Sequence, residues 1–181
     1  TVEEKLATHP KALIGLLKVI SRAKHAAHWA REFALMRHDI DVDEVTVAAL
    51  LHEAAEILFW CFAPEFMLKV EQLRHDQAGI RSAVAQEAIF GITARDAQLA
   101  LVRTWHLPEL LITLMSEINA ENPRVRNVIL ACDLARHAAF GQRGHGRGGV
   151  AQREVGTDVR PDHAFGDQPL HGRAVLLRML R

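Results

Sequence analysis

The stretch Ala48-Ala49-Leu50-Leu51-His52-Glu53-Ala54-Ala55-Glu56 decides how this chain reads. It holds no Gly or Pro, and Ala, Leu and Glu are strong helix formers, so it predicts a helix interior. Neighbouring helix positions point about 100° apart. His52 and Glu53 can therefore share one metal only if it lies over their seam and other helices supply the remaining ligands. His25 and Asp133, on two further apolar-periodic segments, are the candidates. Imidazole and carboxylate ligation suits one divalent Mn, Fe, Ni or Zn, and a metal-bound water could attack a phosphoester. The plainer alternative is a packed core His52 with Glu53 as its solvated partner.

Working outward, Asp41 with Glu44 has the spacing of a capping box and predicts one helix from 41 to about Phe62, ended by Pro64. Upstream, Pro10 can open a long helix to about Arg37, with Leu13, Leu16, Leu17 and Ile20 on one stripe. Downstream, helices are expected to about Arg74, over about Ile80–Phe90 with Gly91 as a left-handed end, and from Thr93-x-x-Asp96 to about His106. Two more follow, from Leu107-Pro108 to about Asn119 and from an Asn122-Pro123 cap onward. No hairpin signal interrupts this series. The expectation is all-α, a single bundle of six or seven helices over 1–140.

After Phe140 the composition changes. Residues 141–181 hold eight of the eleven glycines and none of the five lysines. The run Gly141–Gly149 reads as unable to hold a helix, so 141–181 is expected to be a flexible Gly/Arg-rich tail, with a short helix at Ala174–Leu180. The 22 basic and 22 acidic residues cancel, so no nucleic-acid partner is expected. Nor is a membrane, because apolar runs are read as falling short of the roughly 20 residues a span needs. Cys61 and Cys132 read as free thiols in a cytoplasmic protein.

With these residues in view, a family resemblance can be stated. His25-Ala-Ala-His28-Trp29, Ala48-Ala49-Leu50-Leu51-His52-Glu53 and Ala131-Cys132-Asp133-Leu134-Ala135 resemble the three motif helices of the HD superfamily of metal-dependent phosphohydrolases. Glu87-x-x-Phe90-Gly91-x-Thr93, followed by Trp105-x-Leu107-Pro108-Glu109, is similar to the HDOD family, the HD-related output domain of bacterial signalling proteins. The resemblance covers about residues 10–140, with the family's usual N-terminal helices short or missing. It implies an HD-like helical bundle and makes His25, His52, Glu53 and Asp133 the candidate metal ligands.

The departures bear on activity. Glu53 is one methylene longer than the motif Asp. Ala55 and Glu56 replace the Gly and Lys that commonly follow, Ala94 stands where related domains often carry His, and Ile118-Asn119 replaces a His-His pair. Each change removes a ligand or a cation that could stabilise phosphate charge. The expected function is therefore a non-catalytic module whose partners are other signalling proteins, with no cofactor, no catalytic residue, and the four motif residues as a buried polar cluster. The alternatives are an HD-type phosphohydrolase acting on a nucleotide or cyclic dinucleotide, and a nucleotide sensor without turnover.

Three further patterns carry less. Asp39-x-Asp41-x-Asp43 starts like a calcium loop but has Glu44 and Leu50 at the positions that require Gly and Glu, so it reads as a helix-capping turn. His25 and His28 fit a shared metal face or a polar helix lining equally well. Trp29, Trp60, Trp105, Phe59, Phe62 and Phe66 read as core packing, or as an aromatic groove for a partner helix.

Overall fold

The computed structural model describes residues 2–116 and 119–144, and the elements among them are nine α-helices. They are α1 (Val2–Ala7), α2 (Pro10–Met36), α3 (Val42–Leu51), α4 (Ala54–Phe62), α5 (Pro64–Asp76), α6 (Ser82–Phe90), α7 (Ala94–Thr104), α8 (Glu109–Met115) and α9 (Pro123–Gly144). The count exceeds the expected six or seven because α1 stands apart and the single helix read over 41–62 is broken at His52-Glu53.

Several ends follow from local chemistry. Pro10 opens α2, where its missing N–H costs nothing. Gly91 closes α6 at φ 69. The Thr93 hydroxyl accepts from the Asp96 N–H at 3.1 Å, and Asn122 Oδ1 accepts from the Arg124 N–H at 2.9 Å. His38 and His106 close α2 and α7 in the left-handed region, at φ 55 and φ 52.

Other ends correct the reading. Asp41 makes no side-chain cap; instead Arg124 reaches across from α9 to Asp39 at 3.2 Å, the Asp41 carbonyl at 3.0 Å and Glu44 at 3.0 Å. The acidic turn is thus held by an arginine that is remote in sequence. Helix α8 stops at Met115 rather than near Asn119. Helix α9 continues through Gly144, past the expected stop at 140, because an established helix adds a bond for each residue it extends. The rest of the expected tail, with the helix at Ala174–Leu180, lies outside the described residues.

Helix α2 is the spine of the bundle. Its buried positions, Ala12, Gly15, Leu16, Val19, Ala23, Ala26, Ala27, Ala30 and Ala34, keep the 3–4 spacing of one face. Within the expected Leu13–Ile20 stripe, only Leu16 is buried, while Leu13 and Leu17 are exposed. The N-terminal half packs on α1, α4, α5, α6 and α7 in one core that includes Phe59, Trp60, Met67, Phe90 and Leu101. The C-terminal half packs on α3, α8 and α9 in a second core, where alanines at 26, 30 and 34 meet Ala48, Ala49, Ala131 and Ala135. Small side chains let these helices approach closely.

The stretch Val42–Phe62 spans 21 residues at a mean hydropathy of 1.5, long and apolar enough by those measures to cross a membrane. It is longer than the apolar runs the sequence reading allows. Its Val45, Ala48, Ala49, Phe59 and Trp60 are interior packing of the two cores. Of the aromatic set, Phe59 and Trp60 are buried and Phe66 partly so, whereas Trp29, Phe62 and Trp105 remain exposed.

Gly15 sets the approach of α2 to α4, because a Cβ built there would fall inside the contact distance of the Trp60 ring carbons. Ala would gain about 1 kcal/mol of helix propensity, but overpacking a tight interior costs about 1–3 kcal/mol. Gly15→Ala is therefore expected to lower the urea midpoint of unfolding. An unchanged or higher midpoint would contradict the close contact.

Candidate functional site

The two cores meet at the break between α3 and α4. His52 keeps helical angles (φ −58, ψ −25), but Glu53 turns to φ −100, ψ 5, in the sparsely populated bridge region. The ladder is interrupted there, and the Ala55 N–H donates to Gln98 Oε1 of α7 at 2.8 Å. Regular bonding resumes with the Ile57 N–H donating to the Glu53 carbonyl at 3.0 Å. A buried glutamine thus takes the backbone donor that the break releases, as an unpaired buried N–H would be costly.

Arg22 of α2 reaches this break from below. It falls between Val19, in the first core, and Ala26, in the second. Its Nη2 donates to Glu53 Oε2 at 2.5 Å and to Glu56 Oε2 at 2.9 Å. Arg136 of α9 approaches the other Glu53 oxygen at 3.6 Å and donates to Asp133 Oδ1 at 3.3 Å. The Glu53 side chain is 6% exposed, and those of Arg22 and Glu56 are 17% and 20% exposed.

The electrostatics separate the two glutamates. Burial pushes the Glu53 carboxyl up, but Arg22, Arg136 and His52 together outweigh it, and its pKa falls below the ordinary carboxylate value. Burial also pushes Glu56 up; Arg22 offsets this only in part and the Glu53 charge adds to it, so its pKa is raised. Burial opposes charge on Arg22, yet the attraction of Glu56 and Glu53 prevails and its pKa rises. Glu53 and Arg22 are thus held as ions, and Glu56 is the member that most readily takes a proton.

The four sequence candidates do not come together. Glu53 is buried and His52 half-buried, close enough to favour the Glu53 charge. His25 is exposed on α2, as is His28. Asp133 is 53% exposed and paired with Arg136. The buried partner of Glu53 is therefore Arg22, not His25 or Asp133, which corrects the expected four-residue buried cluster. The physical reason lies in register: Arg22 is on the buried stripe of α2, and Cys132 rather than Asp133 faces inward on α9.

Among the described residues, no group of three or more His, Cys, Asp or Glu side chains converges as a metal would require. A cation at Glu53 would also have to displace the guanidinium at 2.5 Å. The residues do not fit the metal that the resemblance implies. The site that does form is an ion cluster of Arg22, Glu53, Glu56 and Arg136.

Sequence reading missed Arg22, Arg136 and Gln98 as site members. A signal for Arg22 was present, since a charged residue three after Val19 and four before Ala26 interrupts an apolar stripe. Both cysteines are free. Burial pushes the Cys132 thiol up to about 12 and raises Cys61 as well, so neither is an activated nucleophile.

In comparison with known proteins, the family model described as HDOD domain matches residues 1–121. No curated protein and no solved structure matches the chain.

The two glutamates have opposite pH signatures. Glu53, with its depressed pKa, adds stability above its unfolded value of about 4 that is lost as pH falls through the folded value. Glu56, with its raised pKa, adds stability at low pH that is lost as pH rises through its folded value. Glu53→Gln is expected to cost about 3–5 kcal/mol at neutral pH and to remove most of the acid-side loss. Glu56→Gln should cost less and flatten the decline on raising pH. Urea midpoints measured across pH check both; equal costs for the two variants would contradict the assignment.

Proposed function

The chain belongs to the HDOD domain family, and from that premise we propose that it is a non-catalytic signal-transduction module working through protein–protein contacts. The observation that carries this reading is Arg22, whose guanidinium bridges Glu53 and Glu56. A hydrolase of the resembled superfamily needs the motif acid free to hold a metal and a metal-bound nucleophile. Here that acid is paired with a fixed organic cation that supplies no water and no vacant coordination position. His25 and Asp133, both exposed, offer solvent-facing polar groups rather than inward ligands. The motif helices then serve as framework: α2, the α3–α4 break and α9 are locked together at one point. In this reading the outer faces of the bundle are what meets the partner.

The test is elemental analysis for Mn, Fe, Co, Ni and Zn on tag-free protein purified without chelators, beside Glu53→Gln and His52→Ala. Metal well below about one equivalent is expected in all three, with no rise in melting temperature when each ion is added. Stoichiometric metal in the wild type that is lost in the variants would overturn the reading in favour of phosphohydrolase chemistry. A melting shift produced by nucleotides without turnover would instead favour nucleotide sensing.

A further inference from the structure

An open groove of about 680 Å³ runs between the end of α2 and the middle of α9, lined by Phe33 and Met36 on one side and Ile129 and Leu130 on the other. Met36 and Leu130 are 68% and 58% exposed. Trp29, stacked on Phe33 with ring centroids 6.0 Å apart, extends the apolar surface along α2. Contiguous apolar exposure of this kind marks an interaction surface.

The charges around it point to the occupant. Arg126, Leu130, Asp133 and Leu134 share the outward face of α9, with Arg126 and Asp133 also bordering the groove. Arg37 borders it from the end of α2 but is turned to the Pro123 carbonyl at 2.9 Å, and Asp133 keeps an exposed edge beside its 3.3 Å contact with Arg136. The midpoint between positions 126 and 133 falls between Ile129 and Leu130, in the apolar centre. At 1.5 Å per residue, each charge lies about 5 Å from that midpoint, on opposite sides. An antiparallel two-fold pairing of α9 with itself therefore sets Arg126 of one copy opposite the partner's Asp133, twice, around an apolar centre. A face that complements itself under a two-fold rotation is what an isologous dimer requires.

We propose that this α2–α9 face docks a second copy of the chain, α9 antiparallel to α9, with Leu130 and Met36 filling the partner's groove. Asp133 also pairs with Arg136 of the Glu53 cluster, but Leu130 and Arg126 touch no member of it, so the Leu130→Asp and Arg126→Asp variants test the dimer separately from the reading of that cluster. Sedimentation velocity of the tag-free full chain over about 1–100 µM should show a concentration-dependent monomer–dimer equilibrium. Leu130→Asp, at an exposed position, should melt like the wild type and stay monomeric. Arg126→Asp and Asp133→Arg should each weaken association at least about tenfold through like-charge apposition, and the double variant should recover it. A monomer at every concentration, a dimer indifferent to Leu130→Asp, or a double variant no better than the singles would each overturn the proposal.

Discussion

Arg22 stands where α2, the α3–α4 break and α9 converge, and its guanidinium bridges two carboxylates that the fold withdraws from water. Removing an ion from water costs several kcal/mol even after relaxation, and a single salt bridge often fails to offset it. The arrangement compensates by sharing. One guanidinium serves two glutamates, and Arg136 approaches the remaining Glu53 oxygen. The consequence is positional, because the ion pairs of the cluster form only when the three regions are in register. Breaking it should loosen the relation between the two cores more than the packing within either.

The break at His52-Glu53 belongs to the same arrangement. The stretch 42–62, like α2, divides its residues between the two cores. The turn at Glu53 lets Val45, Ala48 and Ala49 face one core and Ala55, Phe59 and Trp60 the other. It also brings Glu53 and Glu56 onto the same guanidinium. The released Ala55 N–H goes to Gln98, so α7 is tied to the seam as well. The alanine face of α2 and the contact of Gly15 with Trp60 permit the approach that Arg22 then fixes.

Much of the helical plan was legible in the sequence because its signals are local: Pro10, Gly91, the Thr93 cap and the Asn122 cap each act within a few residues. The misses are non-local. Asp41 with Glu44 has capping-box spacing, but Arg124 from α9 competes for both. The stretch through His52 has unbroken helix propensity, yet tertiary packing bends it there. The helices that the family resemblance singled out are those that carry the ion cluster, and Glu53 lies in it as the partner of Arg22 rather than in the metal-ligand role the resemblance implies. The resemblance did not give the partners, since spacing along one helix cannot show whether Arg22 or His25 reaches across. The substitution of Glu56 for a commonly basic position was the visible clue: a second acid beside Glu53 calls for a cation, and the buried stripe of α2 carries one.

A double-mutant cycle between Arg22 and Glu53 tests this account most directly. Arg22→Met, Glu53→Met and the pair together would be compared by urea unfolding at neutral pH. The account predicts that each single variant is strongly destabilised by the unpaired charge it leaves, and that the double recovers much of the loss. The coupling is expected at about 2 kcal/mol or more. Costs that simply add, to within about 0.5 kcal/mol, would contradict it, because Arg22 would then not be the cation that holds the motif acid.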